Sequence, residues 1–170
     1  MKTVPPALSN PDPLVRIRPV RQFDVDRLYH AVWLSQSRDW VVELVARARQ
    51  QAVQGRGLGI VVVGDRADDL RAYGQLTLWT RAAEISDLMV VPAYRSHGIG
   101  TAMIQYLVRA AREMQAVNAE IGVATSNPRA LALYRRLGFV DDRVTMIRVQ
   151  KDGEEEPVQI LSLPLRAFQA

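Results

Sequence analysis

The stretch that decides the fold runs from Leu88 to Thr101 and reads LMVVPAYRSHGIGT. An apolar run typical of a buried strand leads into a short loop with the pattern Arg-x-x-Gly-x-Gly, and apolar residues at helical spacing follow. Gly98 and Gly100 let the backbone approach a ligand closely, and the first turn of a helix leaves amide N–H groups without partners. The arrangement therefore predicts a phosphate site at the start of this helix.

Two common phosphate motifs are excluded by particular residues. The dinucleotide fingerprint requires a third glycine where this chain has Met103, and the nucleoside-triphosphate loop requires Gly-Lys followed by Ser or Thr, which the chain lacks. A second glycine-rich run, Gly55 to Gly59, precedes a strand pattern instead of a helix, so we expect it to form a turn.

The composition is that of a water-soluble globular domain. The chain has 170 residues, of which 48% are hydrophobic and 24% charged, and no apolar run approaches the roughly 20 residues of a membrane-spanning helix. Cysteine is absent and histidine occurs only at His30 and His97, so we expect no disulfide, no thiolate nucleophile and no metal site. We expect a cytoplasmic protein, with residues 1–13 as a loose leader rich in proline and residues 14–170 as one domain.

The net charge is +4, and arginine supplies nearly all of the positively charged side chains. These arginines are scattered and are not interleaved with stacking aromatic residues, so we expect no nucleic-acid partner, and we expect no membrane partner either. A homodimer is left open.

Hydrophobic periodicity predicts a mixed α/β sheet with helices packed on it, in the order β-α-α-β-β-β-α-β-α-β-β. Predicted strands cover 14–20, 60–63, 71–79, 84–91, 120–124, 139–149 and 158–163, with an acidic hairpin turn at 152–156. Predicted helices cover 23–34, 38–53, 98–115 and the segment from 127 to 138.

Two sequence blocks resemble one known family. The residues VVPAYRSHGIG, from Val90 to Gly100, resemble the acetyl-CoA pyrophosphate motif of the GNAT acetyltransferase superfamily. The residues NPRALALYRRLGF, from Asn127 to Phe139, resemble the second block of that family, Asn-x-x-Ala-x-x-x-Tyr-x-x-x-Gly-Phe. Because both blocks occur in order, joined by one helix and one strand, the chain is identified as a member of this superfamily on the segment from Glu84 to Val140.

The resemblance implies the GNAT fold, an α/β fold with a mixed, mostly antiparallel sheet of about seven strands and about four helices. In that fold the fourth and fifth strands splay apart and the pantetheine arm of acetyl-CoA enters the gap like an added strand. The implied cofactor contacts are Leu88, Met89, Val90, Arg95, Ser96, His97, Gly98, Ile99, Gly100, Thr101, Asn127 and Tyr134. His97 departs from the Arg, Lys or Gly often found there, and we expect it to reduce the electrostatic help around the phosphates.

Acetyl transfer to an amine needs a base for the amine, a donor for the developing oxyanion and a proton donor for the leaving thiolate. The chain has no cysteine nucleophile, so we expect direct transfer in a ternary complex. The resemblance gives the proton-donor role to Tyr134, whose reference pKa of ~10 exceeds the ~8.5 of a thiol. It gives the oxyanion role to the backbone N–H of Met89. Asn127 is expected to touch pantetheine, to cap the helix that starts at Pro128, or both.

The general base is open between Glu84, Asp87 and water relays. Glu84 matches by spacing the glutamate base of histone-type family members. Strand alternation would place Glu84, Ser86, Leu88 and Val90 on one face, and Asp87 becomes the competitor if a bulge changes the facing. Glu120 is discounted because it lies two residues from the glutamate of N-terminal-acetylating relatives.

We predict a small-molecule amine as the acceptor. The aromatic residues Tyr29, His30, Trp33, Trp40 and Trp79 suit either a cation-holding wall or ordinary core packing, and the 152–156 turn suits either a polycation site or a solvated loop. The alternatives are a protein lysine or N-terminal acetyltransferase and a non-catalytic acyl-CoA-binding regulatory module.

Overall fold

The computed structural model describes residues 15–66, 69–80, 82–148 and 153–165, and these residues form one sheet that carries helices on both faces. The elements in chain order are β1 (Arg16–Pro19), α1 (Val25–Ala31), α2 (Arg38–Val53), β2 (Gly57–Val63), β3 (Leu70–Leu78), β4 (Ala82–Val90), α3 (Ile99–Glu113), β5 (Asn118–Ala124), α4 (Pro128–Arg136), β6 (Val140–Arg148) and β7 (Glu155–Pro164). The predicted leader, residues 1–13, lies outside the described residues.

The sheet has the strand order β1-β2-β3-β4-β5-β7-β6, and every described neighbouring pair is antiparallel except β4 and β5. That parallel pair is short, because it joins Ala82–Ile85 to Asn118–Ile121 while β4 continues to Val90 and β5 to Ala124. The predicted sheet, splayed between its fourth and fifth strands, is confirmed. The gap between the two strand ends is the feature that positions the site.

The two faces of the sheet are covered by different helices. α3 buries Met103, Ile104 and Leu107 against one face, where they join Ile85 and Ile121 in a single apolar core. α1 and α2 cover the opposite face over β2 and β3, and their apolar residues Leu28, Val41 and Val45 pack with Val61 and Tyr73. Among the described residues no helix is both long enough and apolar enough to cross a membrane.

Two details of the sequence interpretation are corrected. β2 already begins at Gly57, so only Gly55, with φ 65°, belongs to a turn. Gly59 lies inside β2, where a Cβ would stand 2.8 Å from the Cβ of Ala48, so the close approach of α2 requires glycine there. In the predicted acidic hairpin turn, Asp152 lies outside the described residues and Glu155 already belongs to β7.

Candidate active site

A bulge interrupts β4 at the edge of the gap. Tyr73 faces Met89 and Gln75 faces Ser86, so two residues of β4, Asp87 and Leu88, stand opposite the single residue Gly74. Asp87 accommodates the extra residue with a positive φ of 52°. Gly74 leaves the necessary room, because a Cβ there would lie 2.7 Å from the Leu88 side chain.

The bulge overturns the simple alternation expected for β4. Ala83 and Ile85 pack in the core beneath α3, and beyond the bulge Leu88 and Val90 pack in that same core. Glu84 therefore does not share a face with Leu88 and Val90, as strand alternation predicted. The reason is the extra residue, which shifts the side-chain order by one position. Asp87 is expected to compete as the base if a bulge changes the facing of β4, and that bulge is present.

The hydrogen-bond pattern shows which backbone groups of β4 face the gap. Val91 N–H donates to the Arg71 carbonyl on β3 at 2.8 Å, so the backbone groups of Val90 lie on the opposite edge. Arg95 Nε donates to the Val90 carbonyl at 3.1 Å, which agrees with this orientation. Alternation then turns the groups of Met89 toward β3 and those of Leu88 toward the gap. The edge at the gap is therefore supplied by Leu88 and Val90, and Met89 lies on the wrong edge for its expected N–H role.

The loop between β4 and α3 is held from below by side chains of the neighbouring hairpin. Tyr94 Oη donates to Asp69 at 2.8 Å, and Arg71 donates to the other carboxylate oxygen of Asp69 at 2.8 Å while its guanidinium lies 4.6 Å from the Tyr94 ring centroid. The Arg71 and Tyr94 hydrogen bonds lower the pKa of Asp69, and the bond to Asp69 raises the pKa of Tyr94. Sequence reasoning missed this anchor, because Asp69 is far from the loop in the chain and carries no motif.

The loop itself prepares an anion site at the start of α3. Ser96 and Gly98 both have positive φ, 67° and 79°, and Gly98 occupies the N-cap position without a capping side chain. The first-turn amides of α3 have no partners inside the helix and point out of its N-terminus. His97 turns aside, since its Nδ1 lies 2.8 Å from the Arg95 carbonyl oxygen. The donors offered to an anion are thus backbone amides.

The N-terminus of α4 lies beside this loop. Asn127 caps α4, and its Oδ1 accepts a hydrogen bond from Ala130 N–H at 3.1 Å, which confirms the predicted capping role. Arg129, in the first turn of α4, donates to the Ser96 hydroxyl across the top of the gap. The predicted phosphate loop and the second sequence block therefore meet at one end of the gap.

Tyr134 lies on the buried face of α4, with its ring centroid 6.4 Å from that of Phe139, and it is 8% exposed. Burial raises its pKa, so the phenol keeps its proton at neutral pH. Among the described residues, none forms a hydrogen bond with its hydroxyl. Every fully buried side-chain oxygen of those residues does have a partner, so the Tyr134 hydroxyl is not fully buried and is available to a ligand.

Three carboxylates lie on the sheet face opposite α3. Glu84 and Glu120 are direct neighbours in the parallel ladder. They form the second-to-last pair before the two strands separate. Separate partners hold them: Trp79 Nε1 donates to Glu84 at 2.8 Å, and Arg143 donates to Glu120 at 3.1 Å. The third carboxylate, Asp87, belongs to an exposed residue of the bulge, and the neighbouring protein still removes part of its hydration.

The environment of Asp87 sets its protonation. Burial of the carboxylate raises its pKa, and the negative charge of Glu84 raises it further, while the positive charge of Arg47 on α2 opposes both. A carboxylate with a raised pKa is a stronger base than a free one, and Asp87 stands next to the unpaired edge of β4, so it is a candidate general base.

The predicted aromatic wall divides into two groups. Trp33 is buried and makes edge contacts with Tyr73 and Trp40, with ring centroids 5.0 and 5.5 Å apart, so it is a core residue. Trp79 is 56% exposed and contacts Glu84, so its free ring face is available to an acceptor.

The sequence comparisons agree on one family. A model of the acetyltransferase (GNAT) family matches residues 25–139, which is more than half of the chain. An N-alpha-acetyltransferase of Sulfurisphaera tokodaii is 33% identical over 94 residues, covering 54% of this chain and 53% of that protein. Streptothricin acetyltransferase of Streptomyces lavendulae is 34% identical over 61 residues, covering 36% of this chain and 32% of that protein. The chain spans about half or less of the length of these curated relatives.

Solved structures share the fold at low sequence identity. The yncA protein of Salmonella typhimurium, solved with its cofactor acetyl-CoA, has a TM-score of 0.72 at 19% identity and covers 92% of this chain and 97% of that one. A dodecameric spermidine N-acetyltransferase from Vibrio cholerae has a TM-score of 0.71 at 17% identity, covering 91% and 95% of the two chains.

Proposed function

The chain belongs to the acetyltransferase (GNAT) family, and from this premise we propose that it transfers an acetyl group from acetyl-CoA directly to a primary amine of a small molecule. The observation that carries the proposal is the gap between β4 and β5, which has a backbone anion site at one end and a phenol and three carboxylates around it. Single-domain organisation over residues 14–170, a cytoplasmic location and the assembly state stay predictions.

Acetyl-CoA supplies the acetyl group as a thioester, and the chain offers a fitting group for each part of it. The amides at the start of α3 suit the pyrophosphate, and the gap edge of β4 at Leu88 and Val90 suits the amides of the pantetheine arm. Asn127 uses only its carbonyl oxygen for capping, so its amide nitrogen is free to contact the same arm.

In the transfer, the amine nitrogen attacks the thioester carbonyl, a C–N bond forms and the C–S bond breaks. We propose Leu88 N–H, in place of Met89, as the donor to the oxyanion, because it faces the gap. Tyr134 donates its proton to the departing sulfur. Asp87 takes the amine proton and is preferred to Glu84, since it stands at the gap edge with a raised pKa.

The acceptor is proposed to be a cationic small amine. Glu84, Glu120 and Asp87 line one face of the gap with carboxyl groups, of which Glu120 is paired with Arg143. The exposed ring of Trp79 adds a surface on which a second ammonium group can rest. Similarity to an N-alpha-acetyltransferase favours a second candidate, acetylation of protein N-termini.

A thiol-release assay with acetyl-CoA separates these candidates. The panel contains spermidine, a diamine, a neutral-chain monoamine, a lysine-containing peptide and a peptide with a free N-terminus, each at equal concentration. We expect release with the diamine and spermidine to exceed release with the monoamine. Release with peptides but with no free amine would establish the protein acetyltransferase instead. CoA binding without release from any acceptor would indicate the non-catalytic module.

A further inference from the structure

The two helices that begin at the gap, α3 and α4, differ from α1 and α2 in the charge of their first turns. α1 and α2 each carry an acidic residue in the first turn, Asp26 and Asp39, which complements the positive end of the helix dipole. α3 and α4 have no acidic residue in the first turn. α4 instead places Arg129 there, at the end of the dipole where a cation is unfavourable.

The described residues place no carboxylate against the arginines at this end of the gap. Among the described residues, neither Arg95 nor Arg129 has a carboxylate within 4.0 Å, whereas Arg135 at the other end of α4 is paired with Asp141 at 2.7 Å. Arg95 is turned toward β4, where its Nε donates to the Val90 carbonyl at 3.1 Å. Within the described part of the chain, the one hydrogen-bond partner of the Arg129 side chain is the neutral Ser96 hydroxyl.

The contact with Ser96 defines where the Arg129 guanidinium lies. Ser96 lies three residues before Ile99, the first residue of α3, so the guanidinium lies beside the loop whose amides would hold a pyrophosphate. An arginine fork matches two phosphate oxygens at once, and no described residue accepts a hydrogen bond from the remaining N–H groups of Arg129. A guanidinium that exchanges a neutral hydroxyl acceptor for a doubly anionic one gains an attraction between opposite charges.

We propose that Arg129 binds the pyrophosphate of the acetyl-CoA cosubstrate from the α4 side of the gap. Arg129 would supply the positive charge that an arginine or lysine at position 97 would give. This chain has His97 there, and its Nδ1 lies against the backbone carbonyl of Arg95. The inference rests on the proposed function, because it takes acetyl-CoA to be the ligand of the loop.

The test is the affinity of the full-length protein for three ligands by calorimetry: CoA, 3′-dephospho-CoA and pantetheine. We expect Arg129→Ala to weaken CoA and dephospho-CoA by the same factor, about 10-fold, and to leave pantetheine unchanged. Arg129→Lys should recover part of the loss, because it restores the charge without the fork. The matched control is Arg136→Ala, which removes the same charge from the exposed C-terminal turn of the same helix and should leave all three affinities unchanged.

Each other outcome has a distinct meaning. If Arg129→Ala weakens CoA alone, the residue binds the 3′-phosphate and the pyrophosphate assignment is wrong. If Arg129→Ala binds all three ligands as the wild type does, Arg129 is only a loop contact and the inference fails while the proposed function stands. If the wild-type protein binds none of them, the proposed function itself fails.

Discussion

Replacing Gly100 by alanine should stabilise the free protein and weaken acetyl-CoA binding at the same time. Gly100 lies in the first turn of α3 without a positive φ, and a Cβ built on it would meet only Leu133, at an ordinary contact distance of 3.8 Å. Nothing in the described protein therefore requires glycine at this position. Replacing a helical glycine by alanine raises the free energy of unfolding by about 0.4–1 kcal/mol. For a chain of this size, that gain raises Tm by roughly 1–3 °C.

The same methyl group stands where the ligand must approach the backbone. If it displaces a phosphate oxygen from one of the first-turn amides, one charge-assisted hydrogen bond of about 1.5–3 kcal/mol is lost, so the Kd for acetyl-CoA should rise roughly 10- to 100-fold. Thermal melting without ligand and calorimetric titration with acetyl-CoA measure the two effects separately. The melts must be ligand-free, because bound ligand stabilises the folded state on its own.

Gly98→Ala is the matched control in the same motif. Gly98 has a φ of 79°, so alanine there is strained and should lower the unfolding free energy by about 1–2 kcal/mol. Opposite signs of the two Tm shifts are therefore expected. A lower Tm for Gly100→Ala would show that the helix geometry at Gly100 has been misread. Unchanged acetyl-CoA affinity would show that no ligand approaches the backbone there.

The remaining predictions concern the chemical groups. Tyr134→Phe should reduce kcat by about 10²- to 10⁴-fold with little change in the Kd for acetyl-CoA, since it removes a proton donor and keeps the ring, and unchanged turnover in a steady-state assay would exclude Tyr134 from the chemistry. Asp87 accepts a proton only when ionised, so kcat/KM should fall as pH drops through its raised pKa. Asp87→Asn should abolish this acidic limb of the pH–rate profile, and Glu84→Gln should move it to lower pH, because it removes a charge that raises the pKa of Asp87. The opposite pattern, with Glu84→Gln abolishing the limb, would assign the base to Glu84.

The part of the site that the sequence predicted well is local. Strand, loop and first helical turn from Leu88 to Thr101 are consecutive, so their glycines and apolar spacing already describe how the backbone folds. Asn127 could be predicted as a cap for the same reason, because the capped amide lies three residues away. Tyr134 needed the family resemblance, since helical spacing alone does not distinguish a core tyrosine from a proton donor.

The parts that sequence reasoning missed depend on pairing between distant segments. The bulge at Asp87 arises from the register with β3 across Gly74, and no pattern within β4 reveals it. The bulge changes which face of the sheet each later side chain of β4 points to. It also turns the backbone N–H of Leu88, instead of that of Met89, toward the gap. The Asp69 anchor of Tyr94 and the Arg129 contact with Ser96 likewise join segments 25 and 33 residues apart.

One distortion of the sheet links the donor and acceptor halves of the site. The bulge turns Leu88 so that its amide faces the gap, where the thioester would lie, and it places the Asp87 carboxylate on the same short segment. The proposed oxyanion donor, Leu88, and the proposed base, Asp87, are then successive residues, so any change that removes the bulge should disable both together. Gly74 permits that bulge, since a side chain there would collide with Leu88. We therefore expect acetyl transfer to depend on Gly74, a residue of β3 that has no side chain to offer a substrate.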